Sequence, residues 1–145
     1  MPVDFIALQQ KIVILVFSKI ESSYNPIAYN EKEGAGGLLQ IKCVMLHHIN
    51  KICKTNYTLQ NCFDSLKSTQ MFFHYQEYYS KELNIEQYAR RWVGGDNGMN
   101  KRISTQPYYE RIRKEFIKVA SKEMESLNIQ PITIFQDFSQ VNYKY

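Results

Sequence analysis

What this chain has little of narrows its class first. Cysteine is scarce, at three residues, Cys43, Cys53 and Cys62. An odd count without metal-type spacing speaks against a disulfide scaffold and for buried free thiols. His47 and His48 are adjacent, and neighbours on a helix point about 100° apart, so they make a poor pair of ligands for one metal. No metal and no other cofactor is expected. Long apolar runs are missing as well. The run Ile12 to Phe17 is far too short to span a bilayer. It also lacks a basic leader and a small-residue cleavage site, so it reads as a core helix and not as a secretory signal. Neither sign of charge dominates: the formal net charge is +4, which excludes little. There is no internal repeat, no low-complexity tract and no nucleic-acid motif, so neither nucleic acid nor stable membrane insertion is expected.

What is present is a globular composition. The 145 residues suffice for one domain with a real core. Apolar residues recur at helical spacing over Val3 to Ile20, through Phe5, Leu8, Ile12, Val16 and Ile20 with Ile6, Val13 and Phe17 beside them. A second amphipathic helix is predicted from Gly37 to Ile52 through Leu38, Ile41, Met45, Ile49 and Ile52. Lys54 to Asn61 reads as a polar connection. Asp64 or Ser65 then caps a helix that continues through Leu66, Met71, Phe73, Tyr75 and Tyr79. Asn84 caps a shorter one, which stops at the loop Gly94 to Gly98. Thr105, with Pro107 in the first turn, opens a long helix through Ile112, Phe116, Met124 and Leu127. From Asn128 onward the pattern changes, and Pro131, Ile132 and Ile134 suggest a short extended piece. The helical pattern predicts an all-α domain of about six or seven helices over residues 1–127 and a C-terminal extension over 128–145.

The stretch Glu21 to Ile41 organises the chain. A carboxyl group ends an apolar helix, and a polar loop, a turn signal at Asn25-Pro26 and a glycine-rich turn follow. Burial disfavours a charged carboxyl, and the partial negative charge of a helix C-terminus acts in the same sense, so such a carboxyl can serve as a general acid. A helix end, a surface loop and a glycine cap is the default reading of these residues by themselves. Gly34, Gly36 and Gly37 allow close backbone approach, by a packed element or by a ligand. Tyr24 and Tyr29 flank the turn and are candidates to line a groove, packing being the commoner fate of tyrosine. Glu31 and Glu33 sit in the polar loop, where a solvated surface is the default.

In order, Glu21, Ser22, Asn25, Pro26, Ala28, then Gly34, Ala35, Gly37, Leu38, Gln40 and Ile41 resemble the first two motifs of the lytic transglycosylases with an SLT-type, goose-lysozyme-like domain. The loop between Ala28 and Gly34 is longer than in the family pattern. Trp92, Val93 and Gly95 align with that family's third motif, where Val93 replaces an asparagine that helps to bind sugar. Thr105, Tyr108 and Ile112 resemble the fourth. The resemblance covers roughly Ile12 to Val119 and implies a lysozyme-like helical domain with two lobes and a substrate cleft.

The resemblance also implies a chemistry. The substrate would be the glycan strand of peptidoglycan, cut between N-acetylmuramic acid and N-acetylglucosamine. Glu21 would be the single catalytic residue. Ser22, Gln40 and Tyr108 would position the acid and the N-acetyl group, Gly34, Gly37 and Leu38 would let the glycan come close, and Trp92 would either stack on a sugar or be buried. Ordinary glycosidases pair two carboxylates, and no second one stands out here. A water-using lysozyme would need Glu31, Glu33 or Asp96 to activate the water. A wall-binding or phage structural module that has lost turnover is the reading that Val93 allows. The expected setting is the cell wall, reached from the cytoplasm within a phage virion, by holin-type release or through a secretion complex.

Overall fold

The computed structural model describes residues 4–128. It is mostly helical, as the periodicity predicts, with a small antiparallel sheet that the periodicity does not reveal. In chain order the elements are α1 (Phe5–Ser22), β1 (Tyr29–Asn30), β2 (Ala35–Gly36), β3 (Ile41–Lys42), α2 (Cys43–Cys53), a 3-10 segment (Leu59–Phe63), α3 (Ser65–Tyr79), α4 (Ile85–Gly94), a second 3-10 turn (Gly98–Asn100) and α5 (Arg102–Ser126). The extended piece expected at Pro131 to Ile134, and with it most of the 128–145 extension, lies outside the described residues.

The chain divides into two compact units. Among the described residues, one joins those up to Val16 with those from Glu82 onward, and the other is Phe17–Lys81. In the first, Leu8, Ile12, Val13 and Val16 of α1 are buried, as are Ile85, Tyr88, Ala89 and Trp92 of α4 and Ile112, Phe116, Ala120 and Met124 of α5. These are among the apolar positions that the helical spacing marks, whereas Phe5, Ile6 and Leu127, marked by the same spacing, lie exposed near the ends of the helices. Asp4 caps α1 by accepting from the Ala7 amide at 3.1 Å, and Lys11 pairs with Glu123 at 2.9 Å.

In the second unit, Phe17, Leu39, Ile41, Leu46, Ile49, Cys62, Met71, Phe72 and Tyr75 form the core. The Phe17 and Phe72 rings meet edge to face at 4.8 Å. α3 begins where its cap predicts, with the Asp64 carboxylate accepting from Lys67 N at 2.9 Å. Thr58 and Asn61 form a reciprocal capping box on the 3-10 segment, inside what reads in the sequence as a plain polar connection. Burial pushes the Cys62 thiol up to about 11, the nearby Cys43 adding to the effect, so Cys62 stays protonated at neutral pH.

Two helix starts differ from the sequence pattern. α2 begins at Cys43 and not at Gly37 or Leu38. Gly37 and Gln40 both have left-handed backbones, with φ of 83° and 52°, and a helix cannot pass through them. The apolar spacing continues here without a helix, because Leu38 is half-buried in the turn and Ile41 is buried on its strand. α5 begins at Arg102, ahead of Thr105. The Thr105 hydroxyl bonds back to the Lys101 carbonyl at 2.6 Å, and Pro107 lies inside the helix and not in its first turn.

Candidate functional site

Glu21 occupies the last turn of α1, half-buried, with Lys19 beside it in the same turn. Immediately after the helix, Ser23 and Tyr24 both turn left-handed, at φ 52° and 66°. Their amides close the helix end by donating to Lys19 O at 3.1 Å and Ser18 O at 3.2 Å. Each such residue costs about 1–2 kcal/mol unless it is glycine, and strain of this kind gathers at functional sites. Ser23→Gly is therefore expected to raise stability by about 1 kcal/mol. A urea midpoint that falls instead would mean that the Ser23 side chain contributes more than its backbone costs.

Ser22 fastens this helix end to the glycine-rich turn. Its hydroxyl donates to the Leu38 carbonyl at 2.7 Å, lies 3.2 Å from Ser18 O, and accepts from Asn25 N at 3.1 Å. Asn25 folds the next turn through its own side chain, which accepts from Ile27 N at 3.0 Å. Gln40 clasps the loop. Its side-chain amide donates to Ala28 O at 3.1 Å and to Gly37 O at 2.9 Å, and Gly37 N also donates to Ala28 O at 2.8 Å. Gln40, expected in the first turn of a helix, instead spends both amide hydrogens on the main chain of this turn.

The loop then runs through the sheet. β1 pairs with β2 in the register Tyr29 to Gly36 and Asn30 to Ala35, and β2 with β3 in the register Ala35 to Lys42 and Gly36 to Ile41. Gly34 closes the β1–β2 turn at φ 63°, with open space around it. Gly36 and Gly37 are buried against the protein itself. A Cβ on Gly36 would meet the Phe63 ring at 2.6 Å, and one on Gly37 would meet the Cys62 carbonyl oxygen at 1.7 Å. Close approach at these two positions is thus by the 3-10 segment. Glu31 and Glu33 are exposed, and Glu33 faces Lys42 at 3.5 Å.

Glu21, Ser22, Gly34, Gly37, Leu38 and Gln40 therefore belong to one unit and one hydrogen-bonded loop. Trp92 and Tyr108 belong to the other unit. Trp92 sits in α4 with 8% of its surface exposed, which leaves little ring for a sugar to stack on, so the buried alternative describes this tryptophan. Tyr108 is half-buried on α5, while Val93 is half-exposed beside the glycine loop.

A buried ionic cluster is not evident from the sequence. Arg90 and Glu86 lie four residues apart on α4 and are both almost fully buried, at 2.9 Å. The Arg90 guanidinium also donates to Arg102 O at 2.9 Å, to the Thr105 hydroxyl at 2.8 Å and to the Gln106 side-chain oxygen. It lies over the Tyr109 ring, 5.0 Å from the centroid. Arg102 adds a second cation to Glu86 at 3.1 Å. Burial raises the Tyr109 hydroxyl above its ordinary range, with the Glu86 carboxylate acting in the same sense. The cluster ties α4 to the opening turns of α5, the helix that carries Tyr108. A Glu–Arg pair at this helical spacing is a visible signal, but such pairs commonly lie on a solvated helix face, and only the fold places this one inside.

Among the described residues no three His, Cys, Asp or Glu side chains converge as a metal site. His48 instead shares a hydrogen bond with the Tyr79 hydroxyl at 2.8 Å. No described helix is long and apolar enough to cross a membrane. No protein-family model, curated protein or solved structure matches the chain, so the functional reading rests on the residues themselves.

Proposed function

We propose that this chain is a lytic transglycosylase of the lysozyme-like fold, acting on peptidoglycan with Glu21 as its single acid and base. The observation that carries the reading is the arrangement at the end of α1. A half-buried carboxyl in the closing turn of an apolar helix is followed by a serine whose hydroxyl holds the glycine-rich turn at Leu38, 2.7 Å away. A mostly helical chain with a small antiparallel sheet directly after that helix agrees with a lysozyme-like architecture.

In this mechanism protonated Glu21 gives its proton to the glycosidic oxygen between N-acetylmuramic acid and N-acetylglucosamine. The C1–O bond breaks while the N-acetyl oxygen of the muramic acid residue attacks C1. The 6-hydroxyl of the same sugar then displaces that oxygen, and Glu21, now a carboxylate, takes the hydroxyl proton. The product is a 1,6-anhydro end, and Glu21 returns protonated. Within the protein, Ser22 and Gln40 shape the turn beside the acid, and Tyr108 is the residue that the family resemblance assigns to the N-acetyl group. The partner is the glycan strand, reached at the cell wall with the help of a phage particle or a secretion complex.

The test is mass spectrometry of purified peptidoglycan after digestion. Anhydro-muropeptides produced by the wild type and not by Glu21→Gln are the expected result. Reducing-end products would replace the transglycosylase with a hydrolase and direct attention to Glu31, Glu33 and Asp96. Wall binding without any product would leave a binding module, with Val93→Asn as the substitution to restore turnover.

A further inference from the structure

We infer that Tyr29, Gly36 and Phe63 form a stacking subsite for one sugar ring of a glycan strand. The inference rests on the proposed role of Glu21 and extends it to where the strand lies. Tyr29 on β1 stands directly opposite Gly36 on β2. Because Gly36 has no side chain, the Phe63 ring settles onto the strand at that point, where a Cβ would come within 2.6 Å of its tip. The Tyr29 and Phe63 rings lie side by side, with centroids 6.4 Å apart and planes tilted by 51°. Both remain open to water, Tyr29 at 60% and Phe63 at 38%.

Two aromatic rings, one on the sheet and one on the 3-10 segment that packs against it, left exposed together are not explained as core. Isolated exposed apolar residues are common, but paired and positioned ones mark a surface that meets something. The chemistry on offer is specific. The faces of the rings are electronegative and attract the C–H face of a pyranose. The hairpin turn that follows β1 is polar, with Glu31 and Glu33 both exposed, and such groups suit the hydroxyls around a sugar ring. A purely apolar ligand would leave those groups unused. The sheet also adjoins the acid. The turn between β2 and β3 is bonded to the end of α1 through Ser22 and Leu38, so a strand lying over the rings continues from the candidate catalytic end of the same unit.

The experiment uses a soluble tetrasaccharide of alternating N-acetylglucosamine and N-acetylmuramic acid, titrated by calorimetry into Glu21→Gln protein so that nothing is cut. Adding Tyr29→Thr, which keeps a residue suited to a strand, is expected to weaken binding by about fivefold or more. Tyr29→Trp in its place is expected to restore it. In the cutting enzyme, Tyr29→Thr should raise KM and leave kcat close to its original value. Equal binding with and without the Tyr29→Thr substitution would overturn the subsite, while Glu21-dependent cleavage by the wild type would still stand. Absence of any Glu21-dependent cleavage would overturn the transglycosylase reading and the subsite with it.

Discussion

Gly37→Ala is expected to remove about 2–5 kcal/mol of stability, from overpacking and backbone strain together. The new Cβ would lie 1.7 Å from the Cys62 carbonyl oxygen and 2.7 Å from its carbon. Neither side can yield cheaply. Cys62 belongs to a 3-10 segment fixed by the Thr58–Asn61 capping box, and Gly37 is held by the hydrogen bond that its N–H donates to Ala28 O at 2.8 Å. The left-handed φ of 83° adds its own cost for any residue with a Cβ. Gly34→Ala is the control. Its φ of 63° carries the same backbone penalty, but nothing lies within 4 Å of the new methyl, so about 1 kcal/mol is expected there. Urea unfolding of the two variants separates strain from collision. Equal midpoints would show that the 3-10 segment slides away from the turn at little cost.

Glu21→Gln is expected to lower the rate of peptidoglycan cleavage by roughly 10²–10⁴-fold, the usual contribution of a positioned general acid. Glutamine has nearly the same shape, and Glu21 lies half-buried at a helix end, so the melting temperature should change little. Its amide cannot deliver the proton that the leaving sugar oxygen needs. Ser22→Ala provides the contrast. It loses the bond to Leu38 O at 2.7 Å and the acceptor for Asn25 N, which loosens the turn without removing the proton. A smaller fall in rate accompanied by a lower melting temperature is expected for it. Clearing of a peptidoglycan suspension measures both rates, and a Glu21→Gln protein that clears at the wild-type rate would end the assignment.

The helices were legible to different degrees, for physical reasons. α1, α3 and α4 follow from apolar spacing and, for the last two, from caps whose side chains do accept the expected amides, as Asp64 and Asn84 show. The start of α2 did not follow. Leu38, Ile41 and Met45 keep a helical spacing through a turn and a strand, because burial alone sets where apolar residues fall. The left-handed backbones at Gly37 and Gln40 that end the pattern leave no periodic trace. Strands of two residues are too short for alternation to register, so the sheet was invisible. At the site, the grouping of Glu21 and Ser22 with the Gly34 to Gln40 turn was readable from residue order. What was not readable is the neighbour each glycine admits. Gly36 and Gly37 make room for Phe63 and Cys62, far along the chain, and only the fold brings those residues there.

The shortness of the strands also governs how the site region moves in time. Ladders of this length cannot hold a sheet by themselves, and the Ser22 and Gln40 clasps and the Gly37–Cys62 crossing supply much of the restraint. Amides between Tyr29 and Lys42 should therefore exchange with solvent through local openings well below the free energy of global unfolding, whereas amides around Met71 and Phe72 should exchange only with the whole unit. A ligand that seats on the sheet must suppress those openings. Slowed exchange confined to this segment would then report occupancy even where no atom shifts its mean position.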